Sequence, residues 1–440
     1  MDAEASSSFQ ITHARVFSIA GPAMLANLTT PLLGLVATAA VGRLGEAHLI
    51  GGVALAAIVF DGIYWLFGFL RMGTVALTAQ ALGAGDVAEQ RAVLSRALLL
   101  AAVIGVALVV LQVPLASLTS ELLGGSDAVR EAAQSYFFVR IWSAPFTLGN
   151  LTLIGWLTGI ARATTALALQ IVVNAINIAL TMLFVLWLDF GIAGAALAAV
   201  LAEAVGFAAG LAVAWRRLGR RFETSAAIVL QRSQLVRMLV VNRDIMIRTA
   251  CVIGAFAFFA AQGARAGDTA LAANAVLHNF VLIGSFFLDG MATAAEQLCG
   301  RSVGARDRSA FVQATRLALG WGLGFGIACT MIFLVAGPAL IDVMTTNAEV
   351  RRFANDFLMF AAVAPVLGAL AYTYDGVFIG ATWSRDMRNL MLAAFALYLG
   401  SWWALRGYGN AGLWLAILVF LAARGALQGA RYPALVRATF

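Results

Sequence analysis

The sequence predicts an all-α, polytopic membrane protein of twelve transmembrane helices, arranged as two six-helix lobes related by a pseudo-two-fold axis along the membrane normal. Three observations carry this expectation. First, 62% of the residues are hydrophobic and only 12% charged, against about 25% charged in an ordinary soluble domain. A mean hydropathy of +0.90 spreads that excess over the whole chain. Second, 440 residues, at about 20 per crossing helix plus short loops, hold roughly twelve spans. Third, the chain repeats itself at an offset of about 221 residues, half its length. The composition excludes a soluble enzyme, a nucleic-acid-binding domain and a disordered scaffold. A net charge of +7 belongs instead to basic cytoplasmic loops.

Apolar runs bounded by polar breaks place the spans in order. The first, about 15–41, carries Pro22 and Pro31, which remove backbone donors and create a kink point. The second, 49–77, closes at Gly83-Ala-Gly-Asp86. The third, 92–116, contains Leu98–Leu111, a run no water-soluble helix would expose. The fourth, 131–157, holds Pro145 and Gly155, with Gly159 just beyond. The fifth and sixth, 164–188 and 190–215, meet at Gly191-Ile-Ala-Gly194. After a basic segment come the seventh, 243–264, and the eighth, 270–298, which closes toward Gly304-Ala-Arg-Asp307. The ninth spans 311–336, and the tenth, 351–380, holds Pro365, Gly376 and Gly380. The eleventh, 387–405, and twelfth, 410–430, meet at Gly409-Asn-Ala-Gly412.

These landmarks pair across the repeat: Gly83 with Gly304, Asp86 with Asp307, Gly155 with Gly376, Gly159 with Gly380. The expected division is an N-lobe at 1–215, a cytoplasmic linker at 216–242 and a C-lobe at 243–440. The linker contains Arg216-Arg217 and Arg220-Arg221 and suits an anionic inner leaflet. An even span count per half makes the halves parallel repeats, and the cavity between such repeats is the expected substrate route.

With a cytoplasmic N-terminus, the inside loops and tails carry 19 arginines, Arg424 among them, against six outside. That bias places both termini in the cytoplasm of an inner-membrane protein. Asp2 and Glu4 with no basic residue before His13 do not make a signal peptide. There is no lysine, so no G-x-x-x-x-G-K-[ST] nucleotide loop exists and an ion gradient is the expected energy source. Cys251, Cys299 and Cys329 have neither disulfide nor metal-ligand spacing. No cofactor is expected beyond a transported H+ or Na+. The expected partners are a small molecule and membrane lipids, with no nucleic acid, and the chain is expected to be a monomer.

A charged side chain at a helix centre costs about 2.5–3.5 kcal/mol on insertion scales, so each intramembrane acid is a functional candidate. Asp61, Glu203, Asp289, Glu296 and Asp375 lie inside spans, where loss of water disfavours a carboxylate's charged form. Asp289 and Glu296, two helical turns apart, share a face, and Tyr372 stands one turn before Asp375. These acids are the expected ion-coupling residues, with a static interhelical role as the alternative. Asp61, mid-way along the second span, is expected to be well buried. Cavity-lining candidates are Asn27 and Thr38 on the first span, Tyr64 on the second, and Asn174, Asn177 and Thr181 as a stripe on the fifth. Tyr372 and His278 are the candidates from the second half.

The whole chain resembles the multidrug and toxic compound extrusion (MATE) transporters, in their DinF-like branch. The residues are Pro31-Leu-Leu-Gly-Leu-Val-Ala-Thr-Ala-Ala-Val-Gly42, Leu70-Arg-Met-Gly through Gly83, Asn242-Arg-Asp-Ile-Met246, Leu288-Asp-Gly290 with Glu296, and Asp375-Gly-Val-Phe-Ile-Gly-Ala-Thr382 with Met387-Arg-Asn389. The resemblance implies a V-shaped pair of lobes and export of amphipathic, often cationic compounds by H+ or Na+ antiport. It also implies a cation-coupling role for the tenth-span acid, Asp375. The family's first-span aspartate is replaced here by Ala37, and the aspartate of many fifth spans by Thr181. The alternatives are a flippase for a lipid-linked precursor and a transport-inactive sensor or scaffold. Few arginines in the spans (Arg71, Arg140 and Arg248) weigh against the flippase.

Overall fold

The computed structural model describes residues 10–43, 45–123, 126–219 and 226–440. Arg220 and Arg221 of the linker lie outside the described residues. Among the described residues the regular structure is all helical. The first crossing is α1, His13–Gly42, which runs unbroken through Pro22 and Pro31. The second is divided into α2, Ala47–Leu66, and α3, Phe69–Gly83. Then come α4, Val87–Val110, and the shorter α5, Gln112–Leu123. The fourth crossing joins α6, Asp127–Arg140, through a 3-10 turn at Ile141–Ser143 to α7, Ala144–Gly159. Helix α8, Ala163–Met182, ends in a π-helical turn, Leu183–Trp187, before α9, Gly191–Arg217.

The short α10, Ala226–Val229, precedes six long helices. These are α11, Arg232–Arg265; α12, Asp268–Gly304; α13, Arg308–Met344; α14, Ala348–Gly380; α15, Ser384–Leu405; and α16, Gly409–Thr439. Ten described stretches are long and apolar enough to cross a membrane, and one of them, Ser384–Thr439, contains both α15 and α16. With the 30-residue α1 the described helices make twelve crossings. Each is helical because hydrocarbon offers no partner for backbone N–H and C=O groups, so each segment must satisfy its own.

Helix ends extend past the apolar runs. Helix α11 starts at Arg232 where the sequence suggests about 243, and α16 continues to Thr439 where it suggests about 430. An apolar run marks only the stretch in hydrocarbon, and the helix continues wherever polar residues keep its hydrogen-bond ladder in water.

The described residues fall into two compact units. The C-terminal unit comprises residues through Met24, Ala79–Gly85 and Arg243–Phe440; the N-terminal unit comprises Leu25–Thr78 and Asp86–Asn242. Helix α1 thus contributes to both. Each unit has its own aromatic-rich core. In the N-terminal unit Trp156 is 1% exposed and its indole N–H donates to Gln90 O at 3.0 Å. In the C-terminal unit Trp414, also 1% exposed, donates to Asn274 Oδ1 at 2.9 Å.

The sequence repeat is a structural repeat. Asp86 caps α4 by accepting from Glu89 N at 2.8 Å, and Asp307, at the matching place, caps α13 by accepting from Ala310 N at 2.9 Å. Such caps satisfy otherwise orphaned N–H groups. Ala161 and Thr382 also correspond, and both take left-handed backbone angles, φ 61° and 56°. Gly155 packs against the peptide of Arg71 within one unit, and Gly376 against the peptide of Ala292 within the other.

Candidate functional site

Each unit holds a polar cluster inside its membrane-crossing helices. In the N-terminal unit the 3-10 turn between α6 and α7 presents Arg140 and Ser143, and α7 continues with Thr147 and Asn150 at helical spacing. Arg140 Nη1 donates to Ser143 Oγ at 3.0 Å, and the Tyr64 hydroxyl shares that oxygen at 3.0 Å. The guanidinium lies 5.8 Å from the Phe60 ring centre and 6.0 Å from that of Tyr64, within cation–π range. Asn150 Nδ2 donates to Glu203 Oε2 at 2.7 Å and to the Glu203 carbonyl at 2.9 Å. Both Glu203 and Asp61 act electrostatically on Arg140. Among the described residues, the ion pairs do not include Arg140. The guanidinium is held by a hydroxyl and two rings, with two acids near it.

Asp61, expected to be well buried, is instead exposed: it sits on a face of α2 that the rest of its unit leaves open. Thr38 is exposed too, and Asn27 and Ala37 are half-buried. The fifth-span stripe is largely occupied with its own bonds. Asn174 Nδ2 donates to Thr29 Oγ1 at 2.9 Å and its Oδ1 accepts from Gln170 at 3.0 Å. Thr181, 1% exposed, donates to Asn177 Oδ1 at 3.2 Å. The stripe ties α8 to α1 within this unit.

In the C-terminal unit the centre is Asp375 on α14, 3% exposed. Arg248 of α11 donates through Nη2 to Asp375 Oδ2. Arg424 Nη2 of α16 reaches the same oxygen at 2.6 Å, and Gln428 Nε2 donates to Oδ1 at 2.7 Å. The Arg424 guanidinium also lies 5.5 Å from the Tyr372 ring centre and 5.4 Å from that of Phe420. Tyr372 therefore faces the arginine, and the donors Arg248, Arg424 and Gln428 reach Asp375 from α11 and α16. Asp289 is near enough to act on Arg248 and Tyr372. Glu296, 2% exposed, stands two turns along α12, where its peptide oxygen packs against Gly380. His278 lies apart from these charges, against Phe256 with ring centres 5.0 Å apart.

A third buried acid, Asp244, is fully covered about three turns into α11. It accepts from Arg388 at 2.7 Å, Arg243 at 2.9 Å and Ser384 at 3.1 Å, joining α11 to α15. A buried carboxylate with three donors is satisfied in the way the interior requires.

Sequence reading had placed Arg424 in a cytoplasmic loop or tail. It is instead 2% exposed inside α16, within the apolar run itself, where it turns to Asp375 of α14 and to the Tyr372 and Phe420 rings. The available signal was an arginine flanked by Leu421-Ala-Ala and Gly425-Ala-Leu, with Gln428 one turn on. Asn150, Ser143, Arg388 and Asp244 were also missed as partners, since each is an ordinary polar residue until its neighbour on another helix is known.

The MatE family profile matches residues 22–183 and 245–400. The DNA damage-inducible protein F of Escherichia coli (strain K12) is 37% identical over 93% of this chain and 90% of its own length. A probable multidrug resistance protein NorM of Caulobacter vibrioides is 25% identical over 92% of this chain and 88% of its own. In fold, the chain superposes on the outward-facing conformation of a MATE-family multidrug resistance transporter with a TM-score of 0.87 at 20% identity, covering 97% of this chain and 96% of that one.

Proposed function

This chain belongs to the MatE family, in its DinF-like branch, and from that premise we propose that it exports amphipathic or cationic small molecules across the inner membrane by proton antiport. Relatives named as multidrug resistance proteins support the substrate class. The observation that carries the coupling assignment is the unequal satisfaction of the two acid clusters. Asp375 already receives two guanidinium groups and an amide. Glu203 and Asp61 share the influence of a single arginine that neither pairs with. Among the described residues that leaves Glu203 with an amide donor and no guanidinium partner, in the unit that lacks acids at Ala37 and Thr181.

A proton needs only one carboxyl oxygen, whereas a hard metal cation needs a cage of several oxygens. Glu203, with one amide donor at 2.7 Å, suits the proton. Protonation removes a charge inside the membrane, and the resulting difference in stability biases the exchange between inward- and outward-open states. With a neutral substrate, one charge moving down 100 mV releases about 2.3 kcal/mol, enough for a roughly fifty-fold substrate gradient; exchange of one proton for a monovalent cation moves no net charge and draws on the pH difference alone. The test is ethidium uptake into acid-loaded proteoliposomes, with an imposed Na+ gradient as the comparison. Uptake driven by the proton gradient and abolished by Glu203→Gln supports the reading. Equal uptake by wild type, Glu203→Gln and Asp61→Asn overturns it.

A further inference from the structure

An acid exposed among apolar residues in the middle of a membrane-crossing helix asks for a cation. On α2, Ile58, Asp61 and Trp65 recur at i, i+3 and i+7, one face of a helix. That face is open: Ile58 is 61% and Trp65 49% exposed, with Asp61 exposed between them. Among the described residues, the ion pairs do not include Asp61. The face therefore offers a carboxylate flanked by an aliphatic and an indole side chain, the chemistry that holds a flat aromatic cation.

A positive charge stands behind it. Phe60, next to Asp61 in the chain, is buried, lies against the Phe137 ring at 5.2 Å and meets the Arg140 guanidinium at 5.8 Å. The Asp61 charge acts on Arg140 and on Tyr136, one turn earlier on α6. Glu203, bonded to Asn150, acts on Arg140 as well. One guanidinium offsets only one of the two acids. With a cation seated on Asp61, Arg140 is left to offset Glu203, and a second positive charge on the same compound finds no acid of its own. Each charge taken from water pays a separate desolvation cost, repaid only by a partner.

We propose that Asp61, with Ile58 and Trp65, docks the cationic end of the cargo, and that Arg140 restricts this site to singly charged compounds. This rests on the export reading above and names its cargo class: aromatic monocations. Asp61 and Trp65 contact the cargo. Arg140 is a positioning residue that acts through Glu203, by occupying the acid a dication would need.

Ethidium and propidium share a ring system and differ in charge, one against two. The experiment is equilibrium binding of each dye to the purified full-length chain in nanodiscs of zwitterionic lipid at alkaline pH, where protons compete least, with empty nanodiscs as the blank. Wild type should bind ethidium about tenfold more tightly than propidium, because the second charge is desolvated without a partner. Arg140→Gln should bring the two affinities together, Arg140→Lys should keep the wild-type ratio, and Arg140→Gln with Glu203→Gln should restore the preference for ethidium. Asp61→Asn, at an exposed position, should weaken both dyes severalfold; it decides the case together with wild type and Arg140→Lys if Arg140→Gln fails to fold. Propidium bound as tightly as ethidium by wild type, an unchanged ratio in folded Arg140→Gln, or unchanged affinities in Asp61→Asn overturns the inference while leaving the export reading in place. Absence of ethidium binding to wild type overturns both.

Discussion

Gly83 and Gly304 pack reciprocally: Gly83 lies against the peptide of Arg301, and Gly304 lies against the peptide of Gln80. Each residue of the first contact is replaced in the second by its counterpart about 221 positions away. The crossing of α3 and α12 is therefore self-complementary, as at a two-fold contact between identical subunits, and it is closed further by Gln80 Nε2 donating to Gly380 O at 2.9 Å.

Because a Cβ at either glycine would enter the opposing backbone, which has no rotamer to move, Gly83→Ala and Gly304→Ala should each cost about 1–3 kcal/mol. Larger side chains should cost more. Thermal unfolding in detergent, followed by size-exclusion fluorescence, checks this; a variant melting with wild type contradicts the tight crossing.

Asp244 is wholly buried with Arg388, Arg243 and Ser384 around it. Asp244→Ala leaves the buried Ser384 hydroxyl and the partly covered Arg388 without their acceptor and should destabilise the C-terminal unit by about 1–3 kcal/mol. Asn at this position keeps an acceptor and should retain part of the stability. The melting temperatures of the two variants, compared in one detergent, decide it.

Arg96, 2% exposed, holds α10 by donating to Ile228 O at 2.7 Å and Val229 O at 3.0 Å, while Nη1 pairs with Glu89 at 2.7 Å. Arg96→Gln should release this segment from α4. Trypsin should then cut at Arg232 several times faster, with the helical content unchanged. An unaltered cleavage rate would show that the carbonyl contacts do not retain the linker.

Glu203→Gln should make ethidium uptake insensitive to the imposed proton gradient while leaving equilibrium dye binding within about twofold. A parallel loss of dye binding would instead make Glu203 a substrate ligand. Asn150→Leu, which removes the 2.7 Å donor, should shift the pH profile of uptake without abolishing it.

The twelve crossings were legible in the sequence because a membrane admits few solutions: a segment long and apolar enough to cross must be a helix that bonds itself. The repeat was legible because glycines such as Gly155 and Gly376, and caps such as Asp86 and Asp307, are required by close approach and by chain reversal, and both leave a residue type behind. The acids Glu203 and Asp375 were legible because the cost of burying charge makes each one conspicuous.

What each acid does was not legible. Asp375 pairs with Arg248 and Arg424, separated from it by 127 and 49 residues, while Asp61, equally mid-span, lies on an open face. Hydropathy and local spacing measure one helix at a time. Coulomb energy falls with distance through space, so the choice between a satisfied acid and one with charge to spare is made only when other helices bring their side chains alongside. Sequence alone determined the helical fold and the acids inside it; tertiary packing decided which of those acids were already neutralised.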